Sequence, residues 1–284
     1  MKNFFFRKKT GRNYPLISTK KQLNNSLKKH NLIISKNLTK SEIAKITNIK
    51  HNFDNKITTF TKYYTDGKLN PERRKLHDKI IRKTFKDKST IDKKDPDLYI
   101  VAGLPGSGKS TVLRSRIKEN AVIIDSDEFK SQLANVDKSP IKRFPLAHAS
   151  LLHDESDIIV TRSLNKAIKE RRDVVYDKTF ASYEGAQSTI ERFKKAGYDV
   201  HLLSTQMYPH QAILSITNRF LVNGRFVSPS NIINKGEEIS KNAIKLRNDT
   251  DSHLIYDTND IKKPVLISKS KYNMEHNFRD PPNC

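Results

Sequence analysis

GLPGSGKST, residues 103–111, fits the pattern G-x-x-x-x-G-K-[ST], with Gly103, Gly108, Lys109 and Ser110 at the fixed positions. A loop of this kind curls so that successive backbone N–H groups point at phosphate oxygens, and glycine tolerates the positive φ angles the curl demands. The spacing assigns Gly103, Leu104, Pro105, Gly106, Ser107, Gly108, Lys109, Ser110 and Thr111 to a phosphate cradle. Within it Lys109 reaches the β- and γ-phosphates of ATP, and the Ser110 hydroxyl is the expected Mg²⁺ ligand. The flanks agree. LYIVA (98–102) is a compact apolar, β-favouring run, and TVLRSRIKEN (111–120) has helical character, so the loop joins strand to helix.

Working outward, further β-rich runs occur at AVIID (121–125), DVVYD (173–177), DVHLLS (199–204), HLIYD (253–257) and PVLIS (264–268). Helical stretches separate most of them, at 146–172, 184–197 and 208–222. Strands alternating with helices predict an α/β fold, here a three-layer P-loop kinase core with a mainly parallel sheet, whose ligands lie at the carboxyl ends of the strands. In that topology the second strand, 121–125, is expected beside the P-loop strand. Upstream, apolar residues spaced by three and four over 41–64 suit an amphipathic helix, and PERRKLHDKIIRKTF (71–85) begins with Pro at a first helical position. The expected organisation is therefore a basic, partly helical extension (1–70), a helix and linker (71–97), a kinase domain (98–270) and a tail (271–284).

The 284 residues carry a formal net charge of +23, and its location matters. Residues 1–97 hold 26 Lys and Arg against nine Asp and Glu, whereas the remainder is close to balanced. Such an extension attracts nucleic acid or an anionic surface. It equally suits a solvated Lys/Asn/Ile-rich tail, because KKQ, LKKH and ERRK lack regularly interleaved aromatics for stacking bases. No run approaches 18 apolar residues, so no transmembrane segment is expected, and the apolar triplet near the start is followed by basic residues rather than a signal-peptide core. The single cysteine, Cys284, points to a reducing, cytoplasmic setting.

Polar residues at strand ends are the candidates for chemistry. Asp125 and Asp127 close the second strand, where a carboxylate accepts a proton from an incoming hydroxyl or holds Mg²⁺ through water. Asp127 is also suited to capping the next helix. Glu155, in HDES, reads from position alone as a solvated helical residue, and His153 and Glu155 do not share a helical face. Asp177 and Thr179 end DVVYDKT, Asp177 being either a Walker B-like carboxylate or a turn residue. Arg219, late in a helix, and Arg225, beside Gly224, are candidates for stabilising a migrating phosphoryl group.

In this order GLPGSGKST, VIIDSDEFK, HASLLHDES, DVVYDKTF, KKAGYDV and RFLVNGRFV resemble the zeta-toxin family of P-loop kinases over roughly residues 71–235. Known members include bacterial toxins that phosphorylate a sugar hydroxyl of UDP-N-acetylglucosamine. The resemblance implies Asp127 as the base, Lys109 and Ser110 on ATP and Mg²⁺, Glu155 and Thr179 seating a sugar nucleotide, and Arg219 and Arg225 on the migrating phosphoryl group. It also implies that an antitoxin protein is a possible partner. Two departures bear on the acceptor: Lys178 stands where the family usually has Gly, and Ala181 and Ser182 occupy a region where some members carry arginine. The expected function is ATP-dependent phosphorylation of a small metabolite. A polynucleotide kinase and a non-catalytic ATP-binding protein with a basic docking arm are the alternatives.

Overall fold

The computed structural model describes residues 4–7, 13–16, 58–86, 88, 92, 94–114, 120–137, 151–180, 182–223, 227 and 229–269. The 41–57 part of the expected upstream helix, Arg225 and the tail lie outside them. The first described strands, β1 (Phe4–Arg7) and β2 (Asn13–Leu16), pair antiparallel. Helix α1 (Thr59–Tyr63) leads into a hairpin of β3 (Tyr64–Thr65) and β4 (Lys68–Leu69). The hairpin turns on Asp66 (φ 52°) and Gly67 (φ 71°), both in the left-handed region that a two-residue turn of this kind requires. Helix α2 (Pro71–Phe85) comes next with Pro71 at its start, and the Asn70 side chain accepts from the Glu72 N–H as its cap.

The alternation of strand and helix then sets in as expected. It runs through β5 (Asp97–Ala102), α3 (Lys109–Arg114), β6 (Val122–Asp125), α4 (Ser126–Val136), α5 (His153–Lys169) and β7 (Val174–Asp177). It continues through α6 (Tyr183–Lys195), β8 (Asp199–Gln206), α7 (Pro209–Asn223), α8 (Pro229–Lys245), β9 (Ser252–Asp257) and β10 (Val265–Lys269). The six strands β5–β10 form one sheet in the order β10-β9-β8-β5-β7-β6, parallel except for β10 on β9.

That order corrects one expectation. The second strand, β6, is at the sheet edge, and β7 lies between it and the P-loop strand β5. Burial explains the arrangement. Val174, Val175 and Tyr176 are all buried, as a central strand requires, whereas Ile123 of β6 is 44% exposed.

Side chains alternating along β5 build the three layers. Leu98, Ile100 and Ala102 face Ile80, Ile81 and Phe85 of α2, Phe129 and Leu133 of α4, Ile159 of α5 and Phe193 of α6. Tyr99 and Val101 point the other way, with Val112, Leu113 and Leu203. A third apolar group joins Leu104 of the P-loop to Ile213 and Ile216 of α7 and Ile232 and Ile239 of α8. It packs these helices across the carboxyl end of the sheet. No helix among the described residues is long and apolar enough to cross a membrane.

Residues 58–70 pack against this core. Thr59 is buried and donates to the Leu151 carbonyl at 3.2 Å, and the Tyr63 hydroxyl donates to Asp137 Oδ2 at 2.7 Å.

Candidate active site

Register brings the site together. Asp125 pairs with Asp177 across β6 and β7, and Asp177 pairs with Val101 across β7 and β5. Neighbouring strands are about 4.8 Å apart, so the two carboxylates and the start of the P-loop form one row at the carboxyl edge. Lys109 spans the row's centre. Its Nζ stands 3.8 Å from Asp177 Oδ1 and donates to the carbonyls of Gly103 and Leu104 at 3.3 Å each.

The P-loop leaves no room for side chains where it is closest to its supports. Gly103 has φ 152°, and a Cβ there would collide with Thr205 Oγ1 and lie 2.8 Å from Ser107 Oγ. Those two hydroxyls are themselves hydrogen-bonded at 2.5 Å, anchoring the loop to β8. Gly106, at φ 81°, lies under α7, where a Cβ would meet the Ala212 carbonyl at 2.8 Å. Ser110, at the start of α3, is exposed.

Arg219 lies on the same face of α7, one turn beyond Ser215 and two beyond Ala212, both of which border Gly106. Its Nε and Nη2 are buried without a hydrogen-bond partner among the described residues. Burial lowers its pKa, opposed by the charges of Asp125 and Asp177, so the guanidinium sits within the field of the carboxylate row. Two orphaned donors beside a loop built for phosphate fit a polyanion such as a nucleotide. Exposed Ser110, with Asp125 and Asp177 nearby in the row, gives oxygen donors suited to Mg²⁺.

Asp127 occupies the first turn of α4 without capping it. The cap is Asp125, whose Oδ1 accepts from the Asp127 N–H at 2.8 Å. The Asp127 carboxylate, 32% exposed, instead meets Lys130 Nζ at 3.2 Å. Burial lowers the Lys130 pKa, and Asp157 and Asp125 counter it. Thr179, two residues beyond Asp177, is half-buried, and the Lys178 N–H donates to the Val101 carbonyl at 3.3 Å.

Glu155 stands apart from this group. Expected from the family resemblance to seat a sugar nucleotide, it is fully enclosed. Arg73 Nε donates to its Oε1 at 2.6 Å, Arg73 Nη2 to its Oε2 at 2.9 Å, and His77 Nε2 to its Oε1 at 2.8 Å. Burial alone pushes its pKa up, but hydrogen bonds from His77 and Arg73 outweigh that and hold it at about 2. Sequence reasoning passes over Arg73, His77 and Lys130. The signal is present: Arg73 and His77 continue the apolar face of Ile80, Ile81 and Phe85, where a solvated cation does not belong. Lys130 lies three residues from Asp127, within reach on one helical face.

Comparison with known proteins adds to this geometry. The zeta toxin family model matches residues 81–268. A chain from the PezAT chromosomal toxin–antitoxin system of Streptococcus pneumoniae superimposes with a TM-score of 0.59 at 23% identity, covering 74% of this chain and 83% of that one. A chain of the AvrRxo1-ORF1:-ORF2 structure with ATP gives 0.56 at 18% identity, covering 72% and 68%. Among curated proteins, none matches. At these identities the superpositions establish a shared fold.

Proposed function

Because the chain belongs to the zeta-toxin family of P-loop kinases, we propose that it transfers the γ-phosphate of ATP to a hydroxyl of a sugar nucleotide or similar small metabolite. The observation that carries this reading is the row formed by Asp125, Asp177 and Lys109, faced by the buried Arg219 nitrogens that have no partner among the described residues. Positive groups and carboxylates converge on one spot, as transfer of a phosphoryl group between two oxygens requires.

In this proposal the P-loop N–H groups and Lys109 hold the β- and γ-phosphates. The Ser110 hydroxyl would hold Mg²⁺, with the carboxylates of Asp177 and Asp125 beside it. Bound Mg²⁺ supplies charge neutralisation at the phosphate oxygens. Asp127 receives the acceptor hydroxyl proton at its carboxylate, the cap of α4 being supplied by Asp125 instead. Lys130 holds that carboxylate in place until the acceptor arrives. Arg219, and Arg225 with it, balance the charge spread over the migrating phosphoryl group. Thr179, beside Asp177 at the strand end, contacts the acceptor. Glu155 is a positioning residue in this scheme. The toxin–antitoxin system of the pneumococcal relative supports an antitoxin protein as a partner.

The test is incubation with γ-labelled ATP and a panel of UDP-sugars, NAD and oligonucleotides, comparing wild type with Lys109→Ala and Asp127→Asn. Label on a sugar nucleotide or other small metabolite with wild type alone is the expected result. Label on oligonucleotides alone replaces the acceptor with nucleic-acid ends. Tight ATP binding with no product, and no effect of Asp127→Asn on phosphate release, makes the protein a nucleotide-binding switch.

A further inference from the structure

The contacts around Glu155 lead through Arg73 and Tyr63 to the C-terminal end of α4, the helix that carries Asp127. Arg73 is only 5% exposed and Glu155 and His77 are fully enclosed, so this ion pair lies inside the protein. The Arg73 guanidinium also covers the Tyr63 ring, 4.2 Å from its centroid. The Tyr63 hydroxyl donates to Asp137 Oδ2 at 2.7 Å, and Lys62 Nζ reaches the same oxygen at 3.5 Å. Asp137 is the C-cap of α4, the helix that carries Asp127 in its first turn. In the other direction, Glu155 lies in the first turn of α5. That helix packs on α4, whose Lys130 pairs with Asp127.

A buried ion pair contributes little net stability, because desolvation offsets the attraction, and well-packed apolar side chains serve as well. What it does supply is direction. A bidentate arginine fixes the plane and distance of its carboxylate, which an apolar contact leaves loose. Here three donors converge on one carboxylate, and the same arginine is stacked on the aromatic residue that holds the end of α4.

We propose that Tyr63, Arg73 and Glu155 are positioning residues that set α4 and α5 against each other and so aim Asp127 at the carboxylate row. This assignment rests on the reading of Asp127 as the base. It makes residues 58–77, which precede the segment matched by the family model, a working part of the kinase domain. The acceptor side of the site depends on this brace, and the P-loop, held by β8 and α7, does not.

Two variants of the full chain test it. Arg73→Met/Glu155→Met exchanges the ion pair for apolar volume, and Tyr63→Phe removes a single hydroxyl with little risk to folding. Three quantities are read: hydrogen exchange at the α4 amides, ATP affinity by calorimetry, and phosphate transfer from ATP to UDP-N-acetylglucosamine or whichever acceptor the panel identifies. Expected are thermal midpoints close to wild type, ATP affinity within about twofold, and α4 exchange faster by about tenfold. The kcat is expected to fall by about 10- to 100-fold with KM for ATP unchanged, as misplacement of a catalytic group predicts. Unchanged α4 exchange in both variants overturns the proposal, as does a parallel loss of ATP affinity and transfer. If wild type transfers no phosphate to any acceptor, the kinase reading fails and the positioning of a base fails with it. The exchange measurement still decides whether the brace controls α4.

Discussion

Asp125 Oδ1 accepts the Asp127 N–H at 2.8 Å, so two carboxylates separated by one serine have divided tasks. The first closes the helix end and the second is left to meet Lys130. Substitution separates the two. Asp125→Ala is expected to lower stability by about 1 kcal/mol, the usual effect of losing an N-cap. Asp127→Asn is expected to leave the thermal midpoint near wild type while reducing phosphate transfer by about 10²–10⁴-fold, the usual contribution of a general base. Paired melting curves and rate measurements check both.

Arg219 invites the opposite comparison. Its buried Nε and Nη2 have no hydrogen-bond partner among the described residues, so the free protein carries a desolvation penalty there that the charges of Asp125 and Asp177 offset only in part. Arg219→Met is therefore expected to leave stability unchanged or raise it by about 1 kcal/mol, as relief of a strained functional site often does. The same change is expected to slow transfer by about 10³-fold or more, in line with arginines that stabilise phosphoryl transfer. A stabilised variant that keeps full activity would remove Arg219 from the mechanism.

Local signals carry most of this site. The P-loop, its flanking strand and helix, Pro71 at the start of α2 and the stop at Gly197 are all determined by neighbouring residues, and the structure places them as expected. The strand order is not legible, because VIID and VVYD are equally short and apolar. Which one lies beside β5 depends on what covers Ile123 and Val175 after folding. The hairpin at 64–69 is hidden by the helical spacing assigned to 41–64, since the apolar period through Phe60 runs on into Tyr63 and Tyr64. The Asp66-Gly67 turn signal is nonetheless there to be read. Glu155 cannot be placed from sequence because its partners, Arg73 and His77, are some eighty residues away. A glutamate in the first turn of a helix gives no local sign of a buried arginine.

Gly103 supplies a test of the cradle itself. Its φ of 152° and the crowding by Thr205 Oγ1 and Ser107 Oγ mean that even a methyl group forces the loop off β8. Gly103→Ala is expected to weaken ATP binding by at least about tenfold and to lower stability by about 1–3 kcal/mol, the range for overpacking and backbone strain. Thr205→Ala added to it removes the colliding oxygen and is expected to recover part of both losses. The double-mutant cycle, read by calorimetry and thermal melts, measures the coupling.

Acid stability isolates the Glu155 ion pair. Its pKa of about 2 lies below the ordinary glutamate value of 4.5: burial pushes it upward, and hydrogen bonds from His77 and Arg73 overcome that push. The unfolded chain therefore binds this proton before the folded one does as pH falls. The associated stabilisation is complete above about pH 4.5 and disappears as the pH drops towards about 2. At about 1.4 kcal/mol per pKa unit the shift corresponds to a contribution on the order of 3 kcal/mol at neutral pH. Glu155→Gln abolishes the titration, so its unfolding free energy is expected to be lower than wild type at pH 7 and to converge with it near pH 2. Denaturant melts across that range check the convergence. A difference between the two proteins that stays constant from pH 7 to pH 2 would show that the carboxylate is not held ionised by Arg73 and His77.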